Sequence, residues 1–222
     1  MTLPHARFTD DTHFETPISK VVCVGRNYAE HAAELNNPVP TQPLLFIKPP
    51  TAVCDLESPI AIPRNAGPVH YETEVALLIG HRISGAAAQE TIMECVEGIG
   101  LALDLTLRER QSQLKKDGHP WETAKAFDGA CPLSAFVPRR TLPVTTRFQF
   151  TLAIDGEQKQ HGDTADMLKP IPALLAYMSE HFTLMPGDVV LTGTPAGVGV
   201  LEPGQTLSLA FEDRLNIQTS VA

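Results

Sequence analysis

Tyr71-Glu72-Thr73-Glu74 runs directly into Val75-Ala76-Leu77-Leu78-Ile79 and stops at Gly80. An apolar run of this kind reads as a strand buried on both faces. Residues two apart in a strand share a face, so Glu72 and Glu74 point the same way. Two carboxylates carried into such a strand repel each other and resist desolvation unless a cation compensates them. A third acid, Asp104, has a similar setting in Gly98-Ile99-Gly100-Leu101-Ala102-Leu103-Asp104-Leu105. Three oxygen donors held against a core suit Mg²⁺ or Mn²⁺, with coordination positions left for substrate and water. The plainer alternative puts Glu72 and Glu74 at a solvated strand end and Asp104 on a turn.

Other side chains could join such a centre. His31 and Glu34 are three apart on a helical stretch and share a face. A carboxylate beside an imidazole fixes its tautomer and raises its basicity, although a surface histidine with an incidental acid looks the same. Arg26 and Tyr28, just before them, read as substrate contacts or as ordinary helix-start residues. Lys125 stands between apolar neighbours and could hold a substrate carboxylate or stabilise an enolate; a lysine snorkelling at the surface has the same pattern. Leu191-Thr192-Gly193-Thr194-Pro195-Ala196-Gly197 follows a buried strand. It lacks the GK[ST] of a phosphate loop and no helix signal follows it, yet its backbone N–H groups and the Thr194 hydroxyl could face an anion. His70 would share a face with Glu72 and Glu74 if the strand began there.

These side chains need a scaffold, and the chain spells out most of one. Lys20–Val24 reads as a buried strand ending at Gly25. A helix follows, capped by Asn27 with Glu30 in the capping-box position, and Asn36-Asn37-Pro38 stops it near Leu35. Short strands are expected around 44–48, 52–54 and 60–62, then a long one from Tyr71 to Ile79. Residues 86–97 read as a helix stopped by Gly98, and 99–105 as a strand. Arg108–Gly118 is charged and helix-prone, either a solvated surface helix or a lid beside Asp104. Phe148, Phe150, Leu152 and Ile154 alternate with polar residues up to Asp155-Gly156, a hairpin turn signal. A helix opens at Pro170 or Pro172 with Ile171, Leu174, Leu175, Met178 and Phe182 on one face. Strands at 188–191, 206–211 and 215–221 complete an α+β, β-dominated domain, closed or rolled, with helices to one side.

Composition narrows the class. With 222 residues and 43% hydrophobic side chains, the chain suits one domain, or one large domain with a short appendage. A net charge of −9 argues against nucleic acid as a partner. No segment approaches a membrane span, and Met1–Glu15 lacks the apolar core of a secretory signal, so a cytoplasmic protein without membrane partners is expected. Cys23, Cys54, Cys95 and Cys131 form no CxxC pair and read as core residues rather than disulfides or zinc ligands.

Six stretches, in order, resemble the fumarylacetoacetate hydrolase domain family, most closely its small single-domain branch of acylpyruvate hydrolases and oxaloacetate-processing enzymes. They are 25–31, 46–49, 70–74, 102–108, 121–127 and 187–195, reading GRNYAEH, FIKP, HYETE, ALDLTLR, WETAKAF and GDVVLTGTP. The resemblance implies a single catalytic domain at residues 18–222 behind an N-terminal arm of residues 1–17, folded as a mixed-sheet roll or pseudo-barrel, as a homodimer, with Glu72, Glu74 and Asp104 binding Mg²⁺ or Mn²⁺. It makes His31 and Glu34 a water-activating dyad and Lys125 a contact to the oxo-acid group. Gly193 and Thr194 in their loop, with Arg26, Tyr28, Arg108 and Gln111, become substrate contacts. The activity expected is hydrolysis of acylpyruvates such as acetylpyruvate or fumarylpyruvate through a pyruvate enolate. Oxaloacetate decarboxylase or keto–enol tautomerase is the alternative, and a 2-oxo-enoate hydratase or a non-catalytic metal-binding protein is more remote. Each enzymatic reading has a small 2-oxo acid or diketo acid as substrate.

Overall fold

The computed structural model describes residues 3–35, 38–64, 66–85, 88–143 and 147–222. The first strands are β1 (Val21–Val24), β2 (Leu45–Lys48), β3 (Val53–Asp55), β4 (Val69–Tyr71), β5 (Thr73–Ile79), β6 (Val96–Leu103), β7 (Thr106–Leu107), β8 (Cys131–Leu133) and β9 (Val137–Pro138). They continue as β10 (Gln149–Ile154), β11 (Glu157–Asp163), β12 (Val189–Leu191), β13 (Gly199–Val200), β14 (Thr206–Phe211) and β15 (Leu215–Ser220). The helices are α1 (Ala29–Glu34), α2 (Arg108–Asp117), α3 (Glu122–Lys125) and α4 (Ile171–His181).

Three sheets result. A mixed sheet runs β2-β1-β12-β5-β6-β8-β3, with β9 beside β6; a four-stranded sheet runs β11-β10-β14-β15; a short one runs β13-β4-β7. The mixed sheet curls into a half-barrel, and the few helices flank it. Burial accounts for the sequence patterns. Every residue of β5 is buried, because β12 and β6 pair with its two edges and both faces are covered. The four-stranded sheet packs only one face inward, so β14 and β15 alternate between buried and open positions. Asp155 and Gly156, with φ of 52° and 82°, make the two-residue turn joining β10 to β11.

Two local features position the site. The chain changes sheets at Glu72: β4 pairs with β13 and β7, whereas β5 pairs with β12 and β6. The expected continuous strand from Tyr71 to Ile79 is therefore two strands. The amide of Thr73, beside the break, donates to the buried Gln160 Oε1 at 3.0 Å. The antiparallel register then sets Thr73 opposite Leu103, and the Asp104 amide donates to the Glu72 carbonyl at 2.8 Å. Acids some thirty residues apart are thus held side by side by the ladder.

Other expectations need correction. Asn27 does not cap α1; Tyr28 precedes that helix without a side-chain cap bond. The Asn27 amide instead donates to the carbonyls of Lys169 and Thr192, each at 3.0 Å, and accepts from the Lys169 amide at 2.8 Å. Long-range partners win over the local cap. Asn36 and Asn37 lie outside the described residues. So do 86 and 87, at the start of the expected 86–97 helix; within the rest, Ile92–Cys95 is one 3₁₀ turn and β6 already begins at Val96. Around 60–62 only Ile60 makes a bridge, to Val221. The Arg108–Gly118 helix forms as expected, ended by Gly118 at φ 68°. No helix among the described residues is long and apolar enough to cross a membrane.

Candidate active site

Glu72, Glu74 and Asp104 converge where β4, β5 and β6 meet. Each offers a carboxylate oxygen, and these oxygens lie within 4.8 Å of one another. All three residues are at least 96% buried, with 4%, 1% and 1% of their surface exposed. Water cannot screen their mutual repulsion, so the surroundings must supply the positive charge. Lys125 Nζ donates to Glu72 Oε2 at 2.7 Å and to Asp104 Oδ2 at 2.6 Å. Arg108 Nη2 donates to Glu72 Oε1. Lys48 Nζ stands 2.7 Å from Asp104 Oδ1, off the hydrogen-bonding direction, while donating to the carbonyls of Lys125 and Ala130.

The compensation is uneven. Burial pushes Glu72 upward, but the charges of Lys125, Arg108 and His31 outweigh it and hold its carboxyl well below the usual range. Glu74 has no cation in bonding distance among the described residues; its Oε2 accepts the Gly193 amide at 2.6 Å. Burial, with the charges of Asp104 and Glu72, therefore pushes Glu74 well above its usual value. For Lys125, burial is outweighed by Asp104 and Glu72, which raise it. A divalent cation fits this donor set: hard oxygen ligands, already gathered, with a net deficit of positive charge at Glu74. Glu72, Glu74 and Asp104 would hold it.

His31 is buried, and its Nδ1 lies 3.6 Å from Glu34 Oε2, just past hydrogen-bonding reach. Burial and the Arg108 charge push the imidazole below its ordinary value against the pull of Glu72 and Glu34. The Glu34 carboxylate also accepts the Gly197 amide at 3.1 Å, tying α1 to the glycine-rich loop. In that loop Gly193 has φ 98°, and a Cβ there would come within 2.7 Å of the Asn27 Cβ. Thr194 is buried and its Oγ1 accepts from Gln160 Nε2 at 2.8 Å. Gln111, buried on α2, accepts from Arg108 Nη1 at 2.9 Å. Tyr28 is buried, its hydroxyl without a partner among the described residues, and burial with the Glu74 charge raises its phenol. Arg26 bonds away from the carboxylates, donating to the Pro38 carbonyl at 3.4 Å. His70 lies within β4, the middle strand of the short sheet, in register with Thr106 and Val200.

Residues 20–222 match the family model described as fumarylacetoacetate hydrolase, C-terminal. The chain belongs to this family. Its members that it resembles include an oxaloacetate tautomerase of Escherichia coli, 53% identical over 199 residues, covering 88% of this chain and 90% of that protein. The mitochondrial oxaloacetate tautomerase of Homo sapiens is 42% identical, covering 90% of each. Among solved structures, a fumarylpyruvate hydrolase from Pseudomonas aeruginosa in complex with Mn²⁺ and pyruvate superposes with a TM-score of 0.92 at 33% identity, covering 100% of this chain and 97% of that one. The protein is thus an enzyme of this family, with the sheet-dominated fold that the resemblance implies. The expectation of an acylpyruvate hydrolase is corrected: relatives at 53% and 42% identity are oxaloacetate tautomerases, and the hydrolase stands further off. The reason is chemical. Both reactions pass through an enolate of a 2-oxo acid, so the acids alone do not tell them apart.

Two buried residues escaped the sequence reading. Lys48 is fully buried, and its signal was a lysine inside Leu45-Phe46-Ile47-Lys48-Pro49 at the end of an apolar strand. Gln160 is 1% exposed and links the strand break at Thr73 to Thr194 and the Pro195 carbonyl. Nothing local marks it, since β11 is polar throughout.

Proposed function

We propose that the protein is an oxaloacetate keto–enol tautomerase dependent on Mg²⁺ or Mn²⁺. The observation that carries this reading is a buried triad of carboxylates facing Lys125 and Arg108, in a chain 53% identical to an oxaloacetate tautomerase. Ketonisation removes the proton from the enol oxygen on C2 and adds one at C3, leaving every other atom in place. A divalent ion held by Glu72, Glu74 and Asp104 would supply Lewis-acid stabilisation of the negative charge of the enolate. Lys125 and Arg108 add fixed positive charge beside it. His31, buried beside Glu34, starts as the neutral imidazole, takes the proton leaving the C2 enol oxygen and returns it to C3. Thr194 and Gly193 shape the wall opposite, and Gln111 holds the Arg108 guanidinium.

The test is to add the enol form of oxaloacetate and follow the loss of its absorbance with Mn²⁺, then with EDTA, while total oxaloacetate is assayed separately. Fast metal-dependent decay at constant total is expected. A falling total, with release of CO₂, would show decarboxylation and end the reading.

The acid limb of this activity has a direction set by His31. Proton transfer needs the neutral imidazole, which exists above its pKa, and that pKa lies below the ordinary 6.5. Activity is therefore kept through neutral pH and lost as pH falls through the lowered value. A kcat/KM profile with its acid midpoint above 6.5 would remove His31 from this role.

A further inference from the structure

One cation near the site has no duty in the reaction above. Helix α2 turns Arg108, Gln111, Leu114 and Lys115 inward, while 109, 110, 112, 113, 116 and 117 are exposed. Lys115 lies seven residues beyond Arg108, about 10 Å along the axis. Helical side chains lean toward the N-terminus, so its chain points back toward the Arg108 end. Its ammonium sits 4.9 Å from the centre of the Trp121 ring. Trp121 in turn packs near Phe46, with ring centres 6.2 Å apart, and against Gly25, the neighbour of Arg26. Lys125 Nζ stands 5.1 Å over the same Phe46 ring. An aromatic wall thus joins Lys115 to Lys125 on one side and borders Arg26 on the other.

Lys115 makes no ion pair among the described residues, and no acid stands within 4.0 Å of it. Burial and the charges of Arg26, Arg108 and Lys125 push it down to about 8, against the pull of Glu72. Four positive charges gathered beside an active site, one of them half-buried and unpaired, make a receptor for an anion.

We propose that Lys115 is a specificity residue that binds the second carboxylate of an oxo-diacid whose first carboxylate and 2-oxo group sit at the Glu72–Glu74–Asp104 end. The inference rests on the oxaloacetate reading and deepens it: the enzyme selects a dicarboxylate over a monocarboxylic 2-oxo acid of the pyruvate type. Arg26 reinforces the field at the mouth.

Lys115→Met keeps the stem over Trp121 and removes the charge, and Lys115→Arg restores it. Kinetics would be measured with enol oxaloacetate as substrate and pyruvate as a competitive inhibitor, in the metal-loaded enzyme. Losing one charge-assisted contact should raise KM for oxaloacetate at least about tenfold. A much smaller change in kcat and in the inhibition constant of pyruvate is expected, with recovery in Lys115→Arg. Equal losses for both ligands would show that Lys115 only supports the fold of α2 and would overturn the inference. So would an unchanged KM. A wild-type enzyme inert toward oxaloacetate would instead sink the functional reading, and this inference with it.

Discussion

Asp104→Asn is expected to abolish metal-dependent turnover of enol oxaloacetate and to weaken Mn²⁺ binding by at least about 100-fold, the upper range for losing even an outer-sphere partner. Asp104 is 1% exposed, it is fixed at the end of β6 by the hydrogen bond its backbone N–H donates to the Glu72 carbonyl, and one of its oxygens belongs to the gathered triad. An amide oxygen in its place carries no charge, and among the described residues no cation bonds to Glu74. Stability gives a readout independent of activity. A ligand at 100 times its dissociation constant stabilises a fold by about 2.7 kcal/mol, roughly 5–10 °C in melting temperature for a chain of this size. The wild type should show that rise with Mn²⁺ and lose it with EDTA, and the variant should melt at one temperature in both. A variant that kept the Mn²⁺-dependent shift would remove Asp104 from the ligand set.

Lys48→Met should be the most destabilising single change around the site. Lys48 has no exposed surface, and its ammonium serves the Leu105, Lys125 and Ala130 carbonyls as well as Asp104. Methionine matches the stem but leaves these acceptors unmet and one face of Asp104 without its cation. Breaking a buried pair from one side costs about 3 kcal/mol or more, which lowers the melting temperature by roughly 10 °C. Urea titration of the metal-free protein checks the free energy, and a calorimetric scan the temperature. A midpoint within error of the wild type would mean that water reaches these groups in the folded state.

Much of the scaffold was readable because it rests on local periodicity. The β10–β11 hairpin follows from alternation and an Asp-Gly turn, α4 from one apolar face after proline, and α2 from helix-prone residues ended by Gly118. Local reading failed where a distant partner competes. Asn27 has the side chain of a cap and spends it on Lys169 and Thr192 instead. The expected helix over 86–97 yields, in its described part, to a 3₁₀ turn and to β6, whose place beside β5 pairs its backbone more fully than a short helix would.

The candidate site divides along the same line. Glu72, Glu74 and Asp104 could be picked out from the chain alone, because acids embedded in apolar strands are costly and few reasons keep them there. Which cation answers each acid was decided only in three dimensions. Lys125 bridges Glu72 and Asp104 and Lys48 abuts Asp104, while Glu74 receives an amide. A lysine among apolar neighbours looks the same in sequence whether it reaches solvent or a carboxylate fifty residues away. Burial cost is a property of the residue and its neighbours, so the chain alone carries it; charge pairing is a property of distance, which exists only once the sheets have closed.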